Sequence, residues 1–328
     1  MWLLKYDDGK AEEFKRLIYR YTDLKFVGDK HLKSNVPLNY RNGYAYTYFT
    51  QEKVEEYMTA RPDCLLKMHE KLYNNLQKDA NGEILETEIK CIESVLNYGK
   101  YISQNKEMSY ALAKLMDSNT CTYCNRVYTL TVSKQNNNQT NGEDNNEIHL
   151  IRPEFDHWFP QSKFPDLALS YYNLIPSCHY CNSNLKRDTE LSKEEYIHPY
   201  LDDKIGFHFT YVPTSNGHAV VVEKNQDVDD DYFRRVQNTL DLFEIKSVYD
   251  AHSDLELKDL MVLVKANPRD YIFTLVRDVA LKLGIDEQGA YRILFGTEVQ
   301  EEKFRNRPMS KFKSDIIKKI KEDLGKKS

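Results

Sequence analysis

No stretch of the 328-residue chain approaches the ~18 consecutive apolar residues that a membrane-crossing helix needs. The opening segment, MWLLKYDDGK, lacks a long apolar run after a basic region, so no signal peptide is expected and a cytoplasmic chain is the default reading. An excess of basic charge is missing too. There are 46 Lys and Arg against 51 Asp and Glu, a net charge of −5. That disfavours a protein that coats nucleic acid by bulk charge, but leaves room for an enzyme with a local basic surface. No internal repeat is evident. Cysteine is scarce, at six residues: Cys64, Cys91, Cys121, Cys124, Cys178 and Cys181. Six could form three disulfides in a secreted chain, but four of them fall in two Cys-x-x-Cys pairs, which is metal-ligand spacing.

What is present is an ordinary globular mixture, 41% hydrophobic and 30% charged. It excludes a mostly disordered chain, a collagen-like fibre and a coiled-coil rod. The length suits about two domains at roughly 100–200 residues each. Aromatics are plentiful, with 24 Tyr, 14 Phe and 2 Trp, and read mainly as core filling.

Hydrophobic periodicity divides the chain into three regions. Residues 1–115 read as helical. Ala11, Phe14, Leu17, Ile18 and Tyr21 form one stripe, Leu65, Met68, Leu72 and Leu76 a second after Pro62, and Ile89, Ile92 and Leu96 a third. Residues 28–48 show no clear period and read as loop. The middle region, 116–200, is β-rich from Val127 to Val132 and strand-like again from Ile148 to Trp158. Between them lies the polar, Asn-rich stretch 133–147, which reads as a flexible excursion. In 201–328, Phe207, Phe209 and Tyr211 alternate, a Ser215-Asn216-Gly217 turn follows, and Ala219 to Val222 completes a hairpin signal. Helical stripes come next: Phe233, Val236, Leu240 and Phe243; then Leu257, Leu260, Met261 and Val264; then Ile272, Leu275, Val276, Val279 and Leu283; and finally Phe312, Ile316, Ile320 and Leu324. From Lys303 to Ser328, ten Lys or Arg face three acids. Such a run reads as a solvated helix face or as a surface for phosphate.

Three short segments carry the chemistry: Cys121-Thr-Tyr-Cys124, Asp156-His157-Trp-Phe-Pro160, and Asn173-Leu-Ile-Pro-Ser-Cys178-His-Tyr-Cys181-Asn182. Two Cys-x-x-Cys knuckles supply the four thiolates of a tetrahedral zinc site, with Zn–S near ~2.3 Å. Such a closed site performs no chemistry and ties distant chain segments together. Neither pair opens a thioredoxin-like βαβ pattern, so a redox role fits poorly. On a strand, Asp156 and His157 would point to opposite faces. Asn182 should open a helix running through Lys186, the two sharing a face at i, i+4.

Together these segments resemble the HNH nuclease family, whose ββα-metal motif runs Cys-x-x-Cys, then an acid or His followed by His-x-x-Pro, then Asn-Leu-x-x-x-Cys-x-x-Cys-Asn/His-x-x-Lys. The match reads CTYC, DHWFP and NLIPSCHYCNSNLK, with one residue more than the pattern between Asn182 and Lys186, and covers roughly residues 121–187. The stretch PQSKFPDLALSYYNLIPSC is also loosely similar to bacterial HNH proteins of anti-phage systems, the Septu nuclease subunits among them. The resemblance implies an α+β chain. A zinc-clipped ββα-metal core (116–200) would be flanked by a helical N-terminal region (1–115) and a mostly helical C-terminal region (201–328).

The resemblance also implies roles. His157 would be the general base that deprotonates water. Asp156 and Asn182 would ligate one divalent cation, Mg²⁺ or Mn²⁺, and Cys121, Cys124, Cys178 and Cys181 would hold zinc. Asn173 would pin the loop that orients His157. Lys186 would contact phosphate rather than metal, and Ser162, Lys163 and Arg187 would flank the substrate. The chemistry is consistent, because a neutral imidazole can take water's proton and a hard cation on oxygen ligands can neutralise developing charge. His179 and His149 with Arg152 read as knuckle-loop and strand polarity, Cys64 and Cys91 as buried thiols, and His198-Pro199-Tyr200 as a turn. The expected partner is nucleic acid, most readily double-stranded DNA. The basic tail after Lys303 is the first candidate surface for it, since residues 149–187 hold only Arg152, Lys163, Lys186 and Arg187 against Glu154, Asp156 and Asp166. Three alternatives stay open: a subunit active only beside an ATPase or other sensor in a defence complex, an RNA-directed nuclease, and an inactive zinc-stabilised nucleic-acid-binding module.

Overall fold

The computed structural model describes residues 3–24, 35–135, 147–215, 217–265 and 269–325, apart from the side chains of 263–265, 269–273 and 324–325. Asn136 to Asn146 of the Asn-rich stretch, Asn216 of the expected turn, the Val264, Ile272 and Leu324 stripe positions, and Lys326 and Lys327 lie outside what is described. Residues 28–34 of the expected loop do too.

The N-terminal region is helical: α1 (Asp8–Tyr21), α2 (Tyr44–Tyr48), α3 (Gln51–Thr59), α4 (Pro62–Tyr73), α5 (Glu86–Val95) and α6 (Lys106–Met116). Local signals start several of these helices. The side chains of Asp7, Thr50 and Asn105 accept N–H groups at the starts of α1, α3 and α6, and Pro62 opens α4. The α1 stripe is buried at Ala11, Phe14, Leu17 and Ile18, whereas Tyr21 is exposed. The short helix α2 replaces part of the expected loop, and its cause is non-local. The buried carboxylate of Glu88 on α5 accepts the N–H groups of Tyr44 (2.7 Å), Ala45 (2.8 Å) and Gln77 (3.2 Å). A Cβ at Gly43 would lie 2.5 Å from that carboxylate, so only glycine allows the approach.

Three two-stranded antiparallel sheets follow: β1 (Val132–Gln135) with β2 (Glu147–Ile151), β3 (Glu154–His157) with β4 (Leu174–Ser177), and β5 (Phe207–Thr214) with β6 (Gly217–Lys224). The β1 strand starts five residues later than the β-rich run suggests. Val127 is drawn back instead, its carbonyl accepting the Cys121 N–H. Polar Ser133, Lys134 and Gln135, expected in the excursion, pair with His149, Ile148 and Glu147. The β5–β6 hairpin forms as its alternation predicts, with Phe207, Phe209 and Val220 buried.

The C-terminal helices are α7 (Asp230–Leu242), α8 (Ile245–Asp250), α9 (Lys258–Lys265), α10 (Arg269–Leu283), α11 (Glu287–Phe295) and α12 (Ser310–Gly325). Helix α12 packs on β5 and buries Phe312, Ile316, Ile317 and Ile320. Buried apolar side chains run as one cluster from Ala11 to Ile320, so the three stretches share a core. Helices α4 and α5 pack on the turn Pro165–Leu167, while α1 and α3 pack on the turn Tyr171–Asn173. The N-terminal helices thus brace the loop between β3 and β4.

Replacing Glu88 with Ala removes one acceptor from three backbone donors. The loss should be about 3 kcal/mol of unfolding free energy, read by denaturant titration. A loss below about 0.5 kcal/mol, the scatter of ordinary surface substitutions, would contradict this account of α2.

Candidate functional site

The two cysteine pairs meet. The Sγ atoms of Cys121, Cys124, Cys178 and Cys181 all lie within 4.8 Å of one another, with Cys124 and Cys178 4.0 Å apart. A tetrahedron with Zn–S bonds of about 2.3 Å has edges near ~3.8 Å, so this group can hold a structural metal such as zinc. The Arg126 N–H points at the Cys124 sulfur at 3.4 Å. Burial pushes the Cys121 thiol well above its ordinary pKa, and a divalent cation would supply the charge that lets the sulfurs ionise. Of the two other cysteines, Cys91 is buried as expected, while Cys64 is exposed because the first turn of α4 presents it outward.

The first knuckle is also a joint. Asn125 is buried with φ +49°, and its Oδ1 accepts the Ser310 N–H (3.1 Å) at the start of α12. Its Nδ2 donates to the carbonyls of Phe304 (3.1 Å) and Arg307 (3.2 Å), and the Tyr249 hydroxyl donates to the Cys124 carbonyl (2.7 Å). The C-terminal region is therefore latched onto the cysteine cluster. Part of the basic tail is paired within the chain. Lys311 pairs with Asp315, Lys313 with Glu256, Lys319 with Asp323 and Arg307 with Glu298.

Strand β3 carries Asp156 and His157 antiparallel to β4, with Asp156 opposite Ile175 and His157 opposite Leu174. The second cysteine pair follows β4 at once and leads into a π-helical turn, Tyr180–Lys186. As strand geometry requires, the two side chains part. His157 Nε2 lies 3.0 Å from the Ala168 carbonyl, which only accepts, so Nε2 carries the proton and Nδ1 keeps a free lone pair. Burial pushes its pKa down to about 4, and the imidazole is neutral at neutral pH. The Tyr98 ring meets it edge-on at 4.4 Å.

The loop that offers Ala168 is pinned twice. Asn173, fully buried, accepts the Phe159 N–H (2.7 Å) and donates to the carbonyls of Phe159 and Leu167 (3.1 Å each). Buried Asp166, two residues before Ala168, meets His69 Nδ1 of α4 at 2.8 Å.

Asp156 is 2% exposed. One oxygen accepts the Tyr123 hydroxyl, and the other lies 3.1 Å from Lys186 Nζ. Burial pushes its pKa up, opposed by the Lys186 charge and the Tyr123 hydrogen bond. Lys186 is 0% exposed and also donates to the His157 carbonyl at 2.7 Å. The expectation that Lys186 reaches phosphate therefore gives way to a buried ion pair. The π-helical turn is the reason: its hydrogen bonds close at i→i+5, as from Arg187 N to Asn182 O, and i, i+4 residues no longer share a face. The expected cation pair, Asp156 with Asn182, is accordingly not presented as a free donor set.

Asn182 instead donates from Nδ2 to Glu154 Oε2 (2.9 Å), which leaves its Oδ1 available. Glu154 also accepts from Ser183 Oγ (2.9 Å) and pairs with His179 Nδ1 (2.7 Å). Burial raises the Glu154 pKa, but these hydrogen bonds outweigh it and hold the carboxyl below its usual range. Glu154, Asp156, His157, Asn182, Arg152, Arg187 and Tyr98 are among the residues that line one cavity of about 400 Å³. Ser162 and Lys163 are not among its lining residues; Ser162 meets Asp188, which does line it, at 3.4 Å, and Lys163 meets Glu190 at 2.7 Å.

Sequence reasoning passed over Glu154, Tyr98 and His69. Glu154 had one usable signal, its place two residues before Asp156 on the same strand. The other two arrive from the helical region with no local mark. Compared with known proteins, the chain matches no family model, no curated protein and no solved structure.

Elemental analysis of the purified chain should find one zinc per molecule. Cys181→Ser should lose that zinc and lower the melting midpoint by roughly 3–4 °C, the shift expected for about 2–3 kcal/mol in a chain of this size. Metal-free wild type with an unchanged midpoint would refute the structural site.

Proposed function

We propose that the chain is a metal-dependent endonuclease of the HNH type that hydrolyses phosphodiester bonds in DNA. One observation carries the reading: a neutral histidine whose Nε2–H is fixed on the Ala168 carbonyl, so that Nδ1 is the free base, lines a polar cavity shared with Glu154 and Asn182. A general base needs that protonation state and that fixed ring. In the proposed reaction a water proton passes to His157 Nδ1 as the oxygen attacks phosphorus; the P–O bond to the 3′ oxygen breaks, and that oxygen leaves and takes up a proton from solvent. A divalent cation, Mg²⁺ or Mn²⁺, would supply charge neutralisation at the phosphate when bound. Arg152 and Arg187, both lining the cavity, would hold the flanking backbone. Asn173 and Asp166 act through the loop that carries Ala168, as positioning residues for His157. Zinc on the four cysteines would be structural.

A second reading has its own support. Several basic groups of the tail are paired within the chain, and Leu281 (74% exposed) and Ile293 (60%) place apolar surface on α10 and α11. Both features favour a nuclease that works beside a protein partner, as in a bacterial anti-phage complex.

The purified protein should nick or linearise supercoiled plasmid in Mg²⁺ or Mn²⁺ and stop in EDTA, with linear DNA and RNA run in parallel. His157→Ala should cut at least about 10²-fold more slowly while melting within a few degrees of wild type. Undiminished cutting by the variant would sink the assignment. Inactivity on every substrate would favour the partner-dependent reading.

A further inference from the structure

We propose that Glu154 supplies the carboxylate of a divalent-cation site and that Asp156 does not. Asp156 serves instead as the buried counter-ion of Lys186. The inference rests on the cation requirement of the nuclease reading but assigns the donor from geometry.

Both oxygens of Asp156 are engaged, by the Tyr123 hydroxyl and by the ammonium of Lys186 at 3.1 Å. Lys186 is itself fully buried and held by the His157 carbonyl at 2.7 Å. A cation that took Asp156 would strip a buried ammonium of its only anionic partner among the described residues, and an unpaired buried charge is strongly destabilising. It would also set two cationic centres side by side on one carboxylate.

Glu154 is also engaged at both oxygens, Oε1 by His179 Nδ1 (2.7 Å) and Oε2 by Asn182 and Ser183, but none of these partners is a buried charge that would be left unpaired. Its side chain is 35% exposed at the cavity, and that of His179 is 70% exposed, so these partners can be exchanged for a cation at little cost. The β3–β4 register sets Glu154 opposite Ser177, the residue before the second cysteine pair, and so places its carboxylate over the π-helical turn that carries Asn182. Asn182 already leans on Glu154 through Nδ2, with Oδ1, the atom a hard cation prefers, left over. A carboxylate oxygen, an amide oxygen and room for several waters in about 400 Å³ form a donor set suited to Mg²⁺ or Mn²⁺. His157 lines the same cavity, which puts the proposed base and the proposed cation in one space.

The test is Mn²⁺ binding to the zinc-loaded full chain, followed by loss of the free Mn²⁺ electron paramagnetic resonance signal. The variant Glu154→Gln keeps the acceptor oxygen for Asn182 or Ser183 and removes only the charge, so a purely structural role would leave binding unmoved. The inference expects one Mn²⁺ per chain and at least a tenfold weaker Kd in Glu154→Gln. In Asp156→Asn, any folded protein should bind within threefold of wild type. Wild-type affinity in Glu154→Gln, or no Mn²⁺ bound by the wild type at millimolar concentration, overturns the inference, whatever the folding of Asp156→Asn. Cleavage is not read in this experiment. A chain that binds Mn²⁺ through Glu154 yet cuts nothing would count against the nuclease reading alone.

Discussion

The meeting of four sulfurs is the constraint on which the rest of the structure depends. Cys121 and Cys124 sit between α6 and β1, Cys178 follows β4, and Cys181 lies in the turn that carries Asn182. Bringing their Sγ atoms within 4.8 Å of one another closes a long loop, at an entropic cost that a bound metal can offset. Within that closure, β3 and β4 pair and the π-helical turn lies against them. Through Asn125 and Tyr249 the same knuckle also receives the C-terminal region. No catalytic role for the sulfurs is needed to explain their arrangement.

The site is built by buried polar groups that are mostly matched. Asn173 satisfies three backbone groups of one loop, Lys186 neutralises Asp156, and Glu88 caps a helix far from it in sequence. Each is costly to leave unpaired, and so each specifies one conformation more sharply than apolar packing does. The consequence for chemistry is a division between the acids of β3. Asp156 is spent on holding the strand to the turn, and Glu154 faces the cavity. His157, which follows Asp156 at the end of β3, is fixed by a carbonyl on the loop that the N-terminal helices brace.

Much of this was legible in the sequence where period and spacing speak. The cysteine spacing announced the four-sulfur cluster, the alternation at Phe207 and Phe209 announced the hairpin, and the stripes of α1 and α12 announced their buried faces. The failures share a cause. Helix α2 exists because Glu88 caps it from 43 residues away, and no local signal could show that. Lys186 points inward because the turn closes at i→i+5, which a 3.6-residue period misreads. Glu154 gains its place from the register of β3 on β4, and His69 and Tyr98 reach the site only through tertiary packing. Local sequence carries residue type and period; it does not carry which buried partner a side chain will find.

The account claims that a sulfur-bound metal builds a pocket in which a second, oxygen-bound metal meets a neutral histidine. The most direct measurement is a crystal structure of the chain soaked in Mn²⁺, with anomalous maps at the zinc and manganese edges. The account predicts a zinc peak among Cys121, Cys124, Cys178 and Cys181 and a separate manganese peak between Glu154 and Asn182, with Lys186 still on Asp156. A manganese peak on Asp156 with Lys186 displaced, or no zinc among the cysteines, would contradict it.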